Sequence, residues 1–128
     1  EMCIRDRLTL VKPYNITYPI AIDVEAIEND SFRQENLSAS ELTDVIIAFC
    51  DTIKAAGYTP LIYSNLLYFM DNVELERLEG YDKWFAGYQT ASPYYPYKYA
   101  MWQYTSTGSI NGVSGNVDIN IAMKNLKK

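Results

Sequence analysis

The order strand, helix, strand in the first half of the chain is the feature that most limits its fold. Residues 18–25 (YPIAIDVE) form a short, apolar, β-branched run that is typical of a buried strand. Ser38 and Glu41 match a capping box that begins a helix, apolar residues then recur at spacings of three and four, and Gly57 ends the helix. Residues 59–63 (TPLIY) predict a second buried strand. Strands joined by a helix lie parallel in one sheet, so the sequence predicts an α/β fold.

Three further strand-like runs come later in the chain, and no good helix separates them. They are residues 83–88 (KWFAGY), 99–104 (YAMWQY) and 116–120 (NVDIN). Short helices are expected at residues 65–70 and 73–78, and a terminal helical stub is expected up to residue 126. With 128 residues, the chain has room for one domain at most.

Residues 1–7 (EMCIRDR) are assigned to an extraneous or disordered amino-terminal segment, because they lack periodicity and bear no relation to the rest of the chain. The segment looks like the translation of an adapter remnant, and an ordinary frayed terminus would look the same. Residues 8–11 are apolar and fit the end of a helix that Pro13 stops. The domain is therefore assigned to residues 8–128.

The composition excludes several classes of site and partner. The chain has no His, which excludes a His-based catalytic triad and a His-bearing metal site. Cys3 and Cys50 lack the CxxC spacing of a redox or zinc site, and we expect neither a metal nor a cofactor. A formal net charge of −5 without a basic stripe argues against nucleic acid as a partner. No apolar run reaches the length of about 18 residues that a membrane span needs.

Asp23 and Glu25 interrupt the first predicted strand at its carboxyl-terminal end. Residues two apart in a strand point to the same side, so both carboxylates should face one space. Holding two like charges close together costs free energy, so such a pair is expected mainly where it serves a function. Most glycosidases use a pair of carboxyl groups to hydrolyse the glycosidic bond. A strand that simply ends at the surface would carry the same two acids, and the residues alone do not decide between these interpretations.

The order of four motifs resembles glycoside hydrolase family 25, the lysozymes of the muramidase type. The motifs are YPIAIDVE at 18–25, IYSN at 62–65, WFAGY at 84–88, and MWQYTS at 101–106 with GNVDIN at 115–120. The resemblance implies a partial TIM-type barrel, because the family fold is a modified β/α barrel with five βα units and three further strands, and the first strands are missing here. The family's first strand carries another active-site Asp, and nothing in this chain occupies that place.

The resemblance also implies a substrate and a mechanism. The family cleaves the β-1,4 bond between N-acetylmuramic acid and N-acetylglucosamine in peptidoglycan. By the matching motif, Glu25 is the general acid and Asp23 is the second carboxylate, which acts as nucleophile, as base or by orienting the substrate's 2-acetamido group. The residues assigned to substrate binding are Asp118, Tyr63, Trp84, Tyr88, Trp102 and Gln103. Without the resemblance, Asp118 also fits a turn position that caps backbone N–H groups, and Trp84 and Trp102 also fit the core.

The expected partner is a peptidoglycan glycan strand, and the expected place of action is outside the cell or in the cell wall. The rival interpretation is an inactive, truncated barrel fragment that binds glycan at most and could self-associate through open sheet edges. A chitinase-like barrel is a third interpretation. The missing DxxDxDxE run disfavours it, since Ala21 stands four residues before Glu25.

Overall fold

A computed structural model of the protein describes residues 2–26, 37–88 and 93–128. Within these ranges the fold is α/β with one five-stranded sheet, which confirms the α/β part of the prediction. No helix in them is long and apolar enough to span a bilayer. The strands are β1 (Ile20–Asp23), β2 (Pro60–Asn65), β3 (Asp82–Ala86), β4 (Met101–Gly108) and β5 (Val117–Ala122). The helices are α1 (Met2–Val11), α2 (Ala39–Ala55), α3 (Leu66–Asn72) and a 3₁₀ helix at Leu75–Leu78.

The sheet has the order β1-β2-β3-β4-β5, so each strand pairs with the next one along the chain. The first four strands are parallel, and β5 is antiparallel to β4. Antiparallel neighbours need no crossover helix, and residues 109–116 join β4 directly to β5. Gly112 and Gly115 take positive φ values of 90° and 96° in this connection, a conformation that glycine adopts without a steric penalty. The hairpin therefore accounts for the lack of a helical pattern near the end of the sequence.

Helix α2 begins where the capping box predicts. Ser38 Oγ accepts a hydrogen bond from the backbone N–H of Glu41 (3.3 Å), and the backbone N–H of Ser38 donates to the Glu41 carboxylate (2.8 Å). At the other end Gly57 follows the C-cap residue with φ 87°, as a C′ glycine does. Local interactions therefore fix both ends of helix α2, which lies between the parallel strands β1 and β2.

The hydrophobic core lies between one face of the sheet and the helices α2 and α3. Its fully buried members include Ile46, Ile53, Ile62, Phe69 and Phe85. Side chains alternate along a strand, so Tyr63, which follows Ile62, and Trp84, which precedes Phe85, project from the opposite face. Tyr63 and Trp84 are also paired in the sheet register, which places them side by side on that face.

Helix α1 begins inside the segment that the sequence places outside the domain. The structure is helical from Met2 through Arg7 and continues to Val11, where the sequence predicts the helix to end. The assignment of residues 1–7 to an extraneous segment stays a prediction.

The predicted helical stub up to residue 126 is wrong. After β5, the backbone N–H of Met123 donates to the Ala100 carbonyl (2.8 Å). The backbone N–H of Lys128 donates to the Thr17 carbonyl (2.9 Å), and its Nζ donates to the Gly57 carbonyl (2.9 Å). These donors bond to segments at the amino-terminal edge of the sheet instead of to carbonyls four residues earlier, so no helical turn forms.

Candidate active site

An open cleft of about 420 Å³ lies at the carboxyl-terminal edge of the parallel strands. In the sheet register Asp23, at the end of β1, pairs with Tyr63 of β2, and Tyr63 pairs with Trp84 of β3. Parallel strands present their carboxyl ends at one edge, which is where α/β sheets bind ligands. The cleft is lined by Arg7, Ala21, Asp23, Glu25, Tyr63, Trp84, Gln103 and Asp118.

Asp23 and Glu25 face this one cleft, as their two-residue spacing predicts. Partial burial raises the pKa of Asp23, and the positive charge of Arg7 opposes that rise. Burial also raises the pKa of Glu25, and the negative charge of Asp23 raises it further. Because both influences on Glu25 act in the same direction, Glu25 is the better placed of the two to keep a proton towards neutral pH. Within the described part of the chain, these acids belong to no group of three or more potential metal ligands.

Arg7 brings helix α1 to the cleft. Its Nη1 donates a hydrogen bond to the Ala21 carbonyl of β1 (2.8 Å), and its guanidinium carbon lies 5.7 Å from the centroid of the Phe49 ring. Arg7 is not among the predicted site residues, because residues 1–7 carry no periodic pattern that indicates a helix facing the sheet. The contact with β1 reveals Arg7 as the basic group of the cleft lining.

Gln103 is held by two tyrosines. Its side chain is 2% exposed, and its Oε1 accepts hydrogen bonds from the hydroxyls of Tyr63 (3.0 Å) and Tyr88 (2.6 Å). Burial raises the pKa of Tyr63, and the negative charge of Glu25 adds to the rise, so Tyr63 keeps the proton that it donates. With its carbonyl oxygen engaged by both phenols, Gln103 has its amide NH₂ group left for other partners.

Trp84 is fixed by a ring contact and a hydrogen bond. Its indole lies edge-to-face against Tyr63, with 4.7 Å between ring centroids and an interplanar angle of 63°. Its Nε1 donates to Asn120 Oδ1 over 2.7 Å. Asn120 is also absent from the predicted site residues. The available signal was its position two residues after Asp118 in a strand, which puts both side chains on one side.

The structure treats the remaining two predicted residues differently. Tyr88 stands at the margin of the cleft, joined to it through the hydrogen bond to Gln103. Trp102 lies next to Gln103 in β4 and therefore projects to the other side of the sheet. There its Nε1 donates to the Gly87 carbonyl (2.8 Å), and its ring lies 5.9 Å from that of Tyr104. The cleft lining therefore contains six of the eight predicted residues, and Tyr88 and Trp102 lie outside it.

This arrangement suits acid-assisted cleavage of a carbohydrate. A carboxyl group with a raised pKa can protonate a leaving oxygen, and a second carboxylate stands beside it. Aromatic rings can cover the C–H faces of sugar rings, and an oriented amide can donate hydrogen bonds to sugar oxygens.

Comparison with known proteins relates most of the chain to one family. Residues 6–113 match the family model described as Glycosyl hydrolases family 25. The matched range contains Asp23, Glu25, Tyr63, Trp84 and Gln103, whereas Asp118 follows it.

Individual relatives extend this match. The autolytic lysozyme of Clostridium acetobutylicum is 27% identical over 99 residues, which cover 77% of this chain and 28% of that protein. The structure of a glycosyl hydrolase 25 of Streptococcus pneumoniae has 23% identity and a TM-score of 0.72, and the match covers 97% of this chain and 53% of that one. The modular Cpl-1 endolysin, complexed with a peptidoglycan analogue, has 24% identity and a TM-score of 0.65 over 98% of this chain and 35% of that one. The structural likeness shows a shared fold, and this chain spans about half or less of the length of each relative.

Proposed function

The chain belongs to family 25 of the glycosyl hydrolases, and from this membership we propose that it cleaves peptidoglycan. The proposed bond is the β-1,4 linkage between N-acetylmuramic acid and N-acetylglucosamine, which the sequence resemblance implies. Two relatives support a wall substrate, since one is named an autolytic lysozyme and the Cpl-1 endolysin was solved with a peptidoglycan analogue. The proposed place of action is accordingly the cell wall or the space outside the cell.

Glu25 is the proposed general acid. A general acid must hold its proton until the leaving oxygen takes it, and a raised pKa serves that purpose. Glu25 is half-buried in the cleft, and the charge of Asp23 beside it raises its pKa further. In the proposed step, Glu25 gives its proton to the glycosidic oxygen as the bond to the anomeric carbon breaks and a nucleophile bonds to that carbon. The nucleophile is the Asp23 carboxylate, the substrate's acetamido oxygen or a water activated by Asp23, and one water is consumed for each bond cleaved.

Asp23 is the proposed second carboxylate. Such a group acts as nucleophile in retaining glycosidases and as base in inverting ones, and it can orient the acetamido group in substrate-assisted ones. The Arg7 charge opposes the rise in the pKa of Asp23, which supports an ionised Asp23 next to a protonated Glu25. An ionised carboxylate fits all three roles. The anomeric configuration of the first product separates the inverting role from the other two.

The remaining residues of the cleft are proposed to bind the glycan around the two acids. Tyr63 and Trp84 offer ring surfaces, Gln103 offers amide donors, and Asp118 offers an acceptor on the hairpin side. Tyr88 is proposed to contribute through Gln103. A contact of Trp102 with substrate has less support, because that ring lies on the other side of β4.

The single observation that carries the proposal is that Asp23 and Glu25 share one cleft, where burial and then the charge of Asp23 raise the pKa of Glu25. The test is the clearing of purified Gram-positive cell walls, followed as loss of turbidity and release of reducing ends. Glu25→Gln should slow clearing by roughly 10²- to 10⁴-fold, the usual contribution of a general acid. Glu76→Gln is the matched control, since Glu76 is an exposed acid on the 3₁₀ helix away from the cleft lining.

Each outcome of this test points to one conclusion. Clearing by Glu25→Gln at the native rate would show that Glu25 is not the acid. A slow Glu76→Gln control would mean that charge loss or misfolding, not the cleft, explains the effect. Far-UV circular dichroism of all three proteins checks that the fold is retained.

Glycan binding without turnover is the second candidate. The unpaired edges of the sheet favour it, because they fit a partial barrel. Strands β1 and β5 each have one strand neighbour within the described sheet. The chain also spans 53% of the pneumococcal structure that it matches. We propose that the five strands form part of a TIM-type barrel whose first strands are not among them. Open edges of this kind also favour self-association.

Two measurements separate the candidates. Co-sedimentation with insoluble peptidoglycan reports binding, and size-exclusion chromatography with light scattering reports the oligomeric state. If the native chain and Glu25→Gln both bind walls and neither clears them, the binding function stands and hydrolysis by this chain is excluded. A native chain that clears walls as a monomer excludes the binding-only candidate.

A further inference from the structure

We propose that Asn120 is a positioning residue that fixes the Trp84 indole as one wall of the glycan cleft. Asn120 Oδ1 accepts the hydrogen bond from Trp84 Nε1 over 2.7 Å. Trp84 lines the cleft and Asn120 does not appear in that lining, so Asn120 acts through the indole. The inference rests on the proposed function, in which this cleft binds a glycan.

The sheet register brings Asn120 within reach of a ring two strands away. Asn120 of β5 stands opposite Gln103 of β4, and Gln103 pairs with Ala86 of β3, two residues after Trp84. Asp118 lies two residues before Asn120 and lines the cleft, so the side chain of Asn120 projects to the same side. The long indole of Trp84 bridges the distance between β3 and β5.

The hydrogen bond supplies a constraint that packing alone does not. Trp84 is half-buried, and Tyr63 contacts it edge-to-face at 4.7 Å between centroids. The contact with Tyr63 constrains the indole on one side and sets no direction for its N–H. The indole N–H can only donate, so an acceptor at a fixed place selects one orientation of the ring. Tyr63 and Asn120 together therefore hold the ring at two points.

A matching constraint holds the partner ring. Gln103 Oε1 accepts from the hydroxyls of Tyr63 and Tyr88. The hairpin of β4 and β5 thus supplies two amide oxygens, and each fixes one ring of the Tyr63–Trp84 pair. A wall fixed before binding loses little rotamer freedom when a sugar ring arrives, which favours affinity. Asn120 itself is exposed, so its truncation removes no core packing.

The experiment uses Trp84 as its own reporter. The chain has two tryptophans, so a Trp102→Phe parent leaves Trp84 as the single fluorophore of this type. Three variants are compared with that parent: Asn120→Ala, which lacks the acceptor, Asn120→Asp, which keeps it, and Asn111→Ala, a control in the same hairpin connection. The readouts are Trp84 anisotropy, acrylamide quenching, the melting temperature, and the Kd for a tetramer of N-acetylglucosamine.

Asn120→Ala should lower the anisotropy, raise the quenching and weaken tetramer binding roughly 3- to 10-fold, the cost of ordering one side chain when the ligand binds. Its melting temperature should stay close to that of the parent. Asn120→Asp should keep the indole ordered, and Asn111→Ala should match the parent in every readout.

Two results would overturn the proposal. One is an Asn120→Ala protein with the anisotropy and Kd of the parent. The other is equal weakening in Asn120→Ala and Asn120→Asp with no change at Trp84. If the parent itself binds no tetramer, the proposed glycan function fails for this ligand. Disordering of Trp84 in Asn120→Ala would then still support the positioning role, and an unchanged Trp84 would still overturn it.

Discussion

The two faces of the sheet are ordered by different forces, and consecutive residues of one strand show the contrast. On the helix-covered face, Phe85 is fully buried and lies 5.2 Å from Phe69 and 4.7 Å from Tyr95 between ring centroids. On the cleft face, Trp84 is half-buried and is fixed by a hydrogen bond to Asn120. Packing determines the position of the first ring, and directed hydrogen bonding determines the orientation of the second. The covered face should therefore govern stability, and the cleft face should govern recognition.

Lys83 departs from the apolar character of the covered face. It is fully buried, and its Nζ donates to the Glu79 carbonyl over 3.2 Å. Its ammonium lies 5.9 Å from the centroid of the Tyr95 ring. Burial lowers the pKa of Lys83 to about 8, an effect that the negative charge of Asp82 partly offsets. A cation on this face is a cost to folding that the cleft face, open to water, does not impose.

The largest expected effect tests the division between the faces directly. Phe85→Ala should lower the free energy of unfolding by about 3–5 kcal/mol, because removal of a buried aromatic ring leaves a cavity in the core. Trp84→Phe, the neighbouring change on the cleft face, keeps an aromatic ring and removes the N–H that bonds Asn120, so it should cost about 0.5–1.5 kcal/mol and should weaken binding of the N-acetylglucosamine tetramer. Urea unfolding measures both stabilities. Equal losses of stability would contradict the comparison.

The next effect concerns the buried cation. The pKa of Lys83 is about 8 in the folded chain against an ordinary value of 10.5, so the unfolded chain binds more protons between these pH values. The stability contribution of Lys83 therefore rises with pH across that window. Lys83→Met removes this dependence, and its advantage over the native chain should shrink by about 3 kcal/mol from pH 8 to pH 10.5.

Urea unfolding of the two proteins at several pH values in this window measures the difference. Subtracting one chain from the other removes the pH dependence of the groups that do not interact with Lys83, and the charge coupling between Lys83 and Cys50 stays within the measured difference. A difference that stays constant with pH would show that Lys83 is not forced towards its neutral form by burial.

The smallest expected effect sharpens the account of the cleft face. Tyr63→Phe and Tyr88→Phe each remove one donor to Gln103 Oε1 and leave the ring in place. Each should weaken tetramer binding roughly 3- to 10-fold, with a stability change within about 1.5 kcal/mol. Tyr14→Phe is the control, since Tyr14 is 69% exposed and lies outside the cleft lining. Native affinity in both cleft variants would mean that the orientation of Gln103 does not matter for recognition.

Elements governed by local chemistry could be predicted from the sequence. The Ser38–Glu41 capping box and the glycine at position 57 act within a few residues, so the pattern alone located both ends of α2. The conformation after β5 could not be predicted in this way. It depends on backbone bonds from Met123 and Lys128 to carbonyls far away in the chain.

Strand parity explains both the strength and the limit of the site prediction. Alternation places Asp23 and Glu25 on one side, and the structure has both in the cleft. The same rule separates Trp102 from Gln103, which are consecutive in β4, although the family resemblance assigns both to substrate binding. If strand alternation is applied to every residue of a motif, the sequence alone predicts that Trp102 and Gln103 lie on opposite faces of the sheet.

The contacts that Arg7 and Asn120 make lay beyond sequence reasoning for a different reason, although strand parity places Asn120 on the side of Asp118. Arg7 bonds to a carbonyl 14 residues away, and the two partners of the Asn120–Trp84 hydrogen bond are 36 residues apart. No short pattern encodes such a contact, because it depends on how a helix or a distant strand is placed in three dimensions. Both residues act on groups that the sequence did identify, Asp23 and Trp84.

The bonds of Lys128 to Thr17 and Gly57 have a practical consequence for anyone who wishes to attach this protein to a surface. Thr17 precedes β1 and Gly57 precedes β2, so both acceptors lie at the amino-terminal edge of the sheet. Lys128 therefore lies at the edge opposite Asp23 and Glu25. A tether joined at position 128 would hold the protein by the edge of the sheet remote from the cleft and would leave Asp23 and Glu25 accessible from the solution. Soluble oligosaccharides or wall fragments would then meet a layer of accessible sites.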